Sequence, residues 1–78
     1  MDKYIKLKVV DFVNHFGFTK EDIENEVDFA YEAESKADET DADYYAYYSL
    51  CDEVKNYYHV NNINAIINEL VTDYLTKL

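Results

Sequence analysis

Apolar residues fall at Ile5, Val9, Phe12, Val13 and Phe16, which is the spacing of one helical face. Gly17 follows, suited to a left-handed C-terminal turn because it has no Cβ to clash at positive φ. Ile5, Leu7 and Val9 also alternate with Lys6 and Lys8, as in a strand. No second strand is evident to pair with it, so the spacing predicts a helix, with a short N-terminal strand over residues 3–9 as the alternative. Thr19 suits an N-cap, with Asp22 at the capping-box position. A second helix is expected from there to about Ser35 or Ala37, with a thin inner face of Ile23, Val27, Ala30, Ala33 and Ala37. Residues 38–43 read as a polar loop, and Thr40 or Asp41 as the cap of a third helix from about Ala42 to His59. Within it Tyr44, Tyr47, Tyr48, Cys51, Val54 and Tyr58 keep helical spacing, while Tyr45, Leu50 and Tyr57 lie off that line. Asn61 or Asn62 caps a last helix with the clearest pattern of all: Ile63, Ile66, Ile67, Leu70, Val71, Tyr74 and Leu78.

The sum is an all-α compact bundle of about four short helices, in one domain spanning residues 1–78. Composition agrees: one Gly and no Pro leave too few turn residues for a β-rich domain of this size. The apolar fraction of 49% is too high for a disordered acidic tail. The single Cys51 cannot form an internal disulfide and reads as a small buried hydrophobe, which suits a reducing compartment. With no signal-peptide pattern and no apolar run near 18 residues, a cytoplasmic protein is expected and no membrane partner.

Charge changes the picture most. Eleven of the seventeen acidic residues lie between Glu21 and Asp43, with only Lys36 among them. The rest of the chain holds six acids and six lysines, so the whole formal charge of −10 resides in that block. Such a balance disfavours DNA, RNA and anionic membranes as direct ligands and favours basic proteins. On one continuous helix, Glu24, Asp28 and Glu32 would form a row about 6 Å apart. Glu21 would flank the row, and Asp38, Glu39, Asp41 and Asp43 would continue it, in a spacing comparable to a nucleic-acid backbone. The plainer reading of such a block is a solvated face that keeps a small protein soluble.

The tyrosine run sharpens this. Neighbouring tyrosines on a helix point about 100° apart, so all six of Tyr44, Tyr45, Tyr47, Tyr48, Tyr57 and Tyr58 cannot be core. Core filling fits Tyr44, Tyr48 or Tyr58; Tyr45, Tyr47 and Tyr57 are the candidates for contact with a partner or a second copy. Tyrosine also stacks on arginine, so an acidic row beside exposed tyrosines suits an arginine-rich groove.

Other chemistries fail on their residues. Phe16–Ile23 resembles the turn of a helix-turn-helix, but the helix after it carries carboxylates that phosphate would repel. Size and acidity resemble acyl carrier proteins, but Ser49 follows Tyr48 inside a helix and lacks the preceding Gly-Asp. An EF-hand loop begun at Asp41 fails at Tyr45, Ala46 and Asp52. His15 and His59 have no second ligand at metal spacing, and no nucleophile–base pair or phosphate loop can be argued. No enzyme activity, metal or cofactor is expected.

In size, charge and helical character the chain resembles the small acidic inhibitors that bacteriophages deploy against host nucleases, anti-CRISPR proteins among them. That resemblance implies a nucleic-acid mimic that blocks the basic nucleic-acid site of a nuclease or ribonucleoprotein effector, in the host cytoplasm if phage-encoded. The alternatives are an acidic adaptor or antitoxin for a basic partner, or a homodimer with a tyrosine-rich interface. Crowded carboxylates repel, so raised pKa values are expected within the block. Raising NaCl from about 20 mM to about 500 mM at pH 7 should therefore raise Tm by screening. A salt-independent Tm would mean that the acids do not act on one another.

Overall fold

The computed structural model describes residues 3–78, and its regular elements are five α-helices. They are α1 (Lys3–Phe16), α2 (Lys20–Glu24), α3 (Phe29–Lys36), α4 (Asp41–Tyr58) and α5 (Ile63–Thr76). Met1 and Asp2, which the sequence reading assigns to the same domain, lie outside the described residues. The all-α expectation holds, and residues 3–9 are helix rather than strand.

α1 and α4 pack as an antiparallel pair. His15, near the end of α1, bonds Asp43 at the start of α4, while Tyr4 and Tyr57 share a shallow groove at the opposite end. α5 touches all four other helices. The core takes the predicted stripe of α1 (Ile5, Val9, Phe12, Val13) and Ile67, Leu70, Val71 and Leu75 of α5. Phe18 bridges helices through its ring, 5.7 Å from Phe12 of α1 and 4.8 Å from Phe29 of α3.

The predicted second helix is two helices. After Glu24 the chain turns at Glu26, whose φ of 57° is left-handed. The Glu26 N–H donates to the Ile23 carbonyl at 3.0 Å and the Val27 N–H to the Asp22 carbonyl at 3.1 Å, the paired bonds of a Schellman closure. Asp28 then caps α3 by accepting from the Tyr31 N–H at 3.1 Å. The break changes the helical phase, so Phe29 is buried together with the predicted Ala30, Ala33 and Ala37. A row of Glu24, Asp28 and Glu32 along one helix does not exist.

The other caps follow the sequence. The Asp22 carboxylate accepts from the Thr19 N–H at 2.8 Å, Thr40 Oγ1 from the Asp43 N–H at 3.0 Å, and Asn62 Oδ1 from the Ala65 N–H at 3.2 Å. Gly17, at φ 72°, closes α1 as its lack of a Cβ allows. Glu26 holds the same kind of position with a Cβ, at a cost of about 1 kcal/mol. Glu26→Gly should therefore raise stability by roughly 0.5–1 kcal/mol, or a few degrees in Tm. Glu26→Ala removes the charge but keeps the Cβ and should gain less. Equal gains from the two variants in thermal melts would show that backbone strain is not the source.

Candidate binding surface

The acidic block lies on three elements and the turns between them. Glu21 and Glu24 project from α2, Glu26 from the turn after it, Glu32 from α3, Asp38 and Glu39 from the turn before α4, and Asp41 from the first turn of α4. All seven are exposed. Among the described residues the ion pairs are His15–Asp43 and Lys77–Asp73, so Asp43 is the one acid of the block that has a basic partner within ion-pair distance.

Besides Asp22, which closes the α2 cap, three acids are used inside the fold. Asp28 Oδ1 accepts from Asn68 Nδ2 at 2.9 Å as well as from the Tyr31 N–H. Asn68 Oδ1 in turn accepts the Ala30 N–H at 2.9 Å, so one α5 side chain satisfies two groups at the start of α3. One turn earlier on α5, Asn64 Nδ2 donates to Glu34 Oε2 at 3.2 Å. The Tyr47 hydroxyl donates to the same carboxylate oxygen at 2.8 Å and lies 3.0 Å from Asn64 Oδ1. Asp43 takes the bond from His15 Nε2.

These bonds reverse the expected direction of the pKa shifts wherever a shift is resolved within the block. The Asn68 amide, then the Tyr31 N–H, hold the Asp28 carboxyl below its ordinary value. The bond from His15 does the same for Asp43, against an opposing effect of burial. Hydrogen bonding to the charged form outweighs desolvation at both sites.

The tyrosines need correction too. Tyr47, expected to meet a partner, is 3% exposed, and burial followed by the Glu34 bond pushes its phenol far above the ordinary range. The buried arc of α4 runs through Tyr47, Leu50, Cys51 and Val54, so the core selects the line containing Leu50 rather than Tyr44 and Tyr48. Cys51 is buried and free as expected, and burial raises its thiol pKa. Tyr44 and Tyr48 are exposed instead, with ring centroids 4.5 Å apart, and Tyr45 lies 5.9 Å from Tyr44. Tyr48 stands near the acidic turn: partial burial, then the Asp38 charge, push its phenol pKa up. Tyr45 and Tyr57 are exposed as predicted. Twelve residues separate them, about 18 Å along the helix, so Tyr57 is far from the acidic edge.

The structure sets the charge of Asp38 near Tyr48, at one end of the ladder of Tyr45, Tyr44 and Tyr48, and places Asp41 one turn before Tyr45 on α4; Glu39, Glu32 and the α2 acids adjoin these along the chain. Sequence reasoning missed Asn64, Asn68 and Glu34. The signal was there in part, because asparagine is a poor helix-interior residue, and two of them four apart on an isoleucine-rich helix imply partners. No protein-family model matches the chain, and no curated protein or solved structure matches it. No helix among the described residues is long and apolar enough to cross a membrane.

Asn68→Ala should cost about 1–3 kcal/mol, because it strips the acceptor from the partly buried Ala30 N–H and a donor from Asp28. The Asp28 contribution has a definite pH sign. Its folded pKa is depressed, so its stabilisation is present above the unfolded value of about 3.9 and is lost as pH falls through the folded value. The Tm gap between wild type and Asn68→Ala should narrow from pH 7 to about pH 2, leaving only the Ala30 share. A gap that widens in acid would contradict this.

Proposed function

We propose that the chain is a non-enzymatic binding protein that occupies the basic nucleic-acid site of another protein, a nuclease or ribonucleoprotein effector, and blocks it. The observation that supports this most is the unneutralised edge. Seven exposed acids, Glu21, Glu24, Glu26, Glu32, Asp38, Glu39 and Asp41, have no ion-pair partner among the described residues. Carboxylates presented this way attract a basic groove over long range and steer a fast encounter. The Tyr44–Tyr48 ladder beside them supplies contact area and faces on which arginine stacks. A surface meant only for solubility gains nothing from exposed aromatic rings next to its carboxylates.

The division between structural and free acids dictates the test. Asp28, Glu34 and Asp43 hold the fold together and are left alone. Glu24→Lys, Glu32→Lys and Asp38→Lys combined should leave the helical signal intact and slow association with a captured basic partner by at least about tenfold at low salt. Duplex DNA or guide RNA should displace the wild-type protein from that partner. Capture that survives the triple reversal rejects the proposal, and capture indifferent to nucleic acid favours an adaptor or antitoxin.

A further inference from the structure

A groove of about 440 Å³ opens between α3, α4 and the turn leading into α5, and its walls are rich in hydrogen-bond acceptors. Glu34 of α3, Tyr48 and Asp52 of α4, Asn61 of the turn and Asn64 of α5 are among its lining residues. Glu34 Oε2 already accepts from Tyr47 and Asn64, which fixes the carboxylate and leaves Oε1 without a hydrogen-bond partner among the described residues. Asp52 lies one turn beyond Tyr48 on α4 and has no ion pair among the described residues. Tyr48 is 38% exposed, although its ring also meets those of Tyr44 and Tyr47.

We infer that this groove takes the guanidinium of an arginine side chain presented by the partner. The inference rests on the reading of the chain as a binder of a basic protein, and it names the group that is gripped. A guanidinium is planar, carries five N–H donors and no acceptor, and stacks on aromatic rings. It matches two carboxylates beside a tyrosine face better than the compact ammonium of lysine does. Lys55 also lines the groove. It is exposed, has no ion pair among the described residues, and opposes an incoming cation, so its removal strengthens binding.

The test is a titration of the isotope-labelled full chain with N-acetyl-arginine amide and N-acetyl-lysine amide, followed by NMR. Saturable shifts centred on Glu34, Tyr48, Asp52 and Asn64 are expected with the arginine compound, and about threefold or weaker binding with the lysine compound. Asp52→Asn and Tyr48→Ala should each weaken arginine binding about threefold or more, while Tyr48→Phe preserves it. Lys55→Gln should tighten binding, and Glu69→Gln on α5 should leave it unchanged. The spectra themselves report whether each variant is folded, and Tyr48→Phe and Asp52→Asn suffice if Tyr48→Ala is not. Shifts that never saturate, equal response to the two compounds, or indifference to Asp52→Asn overturns the inference. If that happens while the triple charge reversal still abolishes partner capture, the proposed function stands and only the groove assignment falls. If the groove binds arginine but the reversal has no effect on capture, the nucleic-acid mimic falls instead.

Discussion

The contact between α3 and α5 is what holds the charged segment on the rest of this structure. α3 belongs to a segment that carries almost all of the protein's unbalanced charge, yet it offers the core mainly small side chains. Ala30, Ala33 and Ala37 are all but completely buried, with Phe29 as the one large anchor. Two asparagines one turn apart on α5 complete the contact, Asn68 at the start of α3 and Asn64 toward its end. The magnitudes favour docking. Two exposed carboxylates about 6 Å apart in water repel by about 0.7 kcal/mol, and salt reduces that further. A hydrogen bond to a charged group contributes about 1.5–3 kcal/mol. The bonds to Asp28 and Glu34 therefore offset several repulsive pairs.

This arrangement separates two roles that the acids could otherwise confuse. Asp28, Glu34 and Asp43 are turned into hydrogen-bond acceptors that join α3 to α5, α3 to α4, and α4 to α1. Apart from Asp22, which caps α2, the remaining carboxylates of the block are exposed. The apolar core of α1, α4 and α5 is built from residues outside the charged segment, apart from Phe29 and the alanines. Surface charge can then vary with little effect on the core. The tyrosines divide in the same way: Tyr47 is locked inside by Glu34, and Tyr44, Tyr45 and Tyr48 remain outside.

Much of the fold was legible because periodicity and capping are local. The stripe of α1, that of α5 as far as Tyr74, the caps at Thr19, Thr40 and Asn62, and the buried Cys51 follow from spacing and side-chain chemistry alone; at the end of α5 the core takes Leu75 and leaves the expected Leu78 exposed. The break at residues 25–28 was not legible, because glutamate is an unusual residue for a left-handed turn and the carboxylates around it suit a helix surface. With that break went the phase of α3, and so Phe29 was missed. The facing of α4 was legible only in part, since Tyr47, Cys51 and Val54 of the expected line are buried but Tyr44 and Tyr48 are not, and Leu50 turns inward. The apolar residues of α4 cover more than one face, and only the tertiary arrangement decides that Leu50 and Tyr47 turn inward. The asparagine clamps depend on residues 30 to 40 positions apart, beyond the reach of local patterns.

The bonds to Asp28 and Glu34 hold the anionic edge in shape in the free protein. Native-state hydrogen exchange of the free protein at low salt measures this directly. Amides from Ala33 to Ala37 should exchange about as slowly as those in the middle of α4, opening only when the whole domain unfolds. If these amides exchange at nearly unprotected rates while α4 stays protected, the acidic segment is loose in the free protein and the claim is wrong.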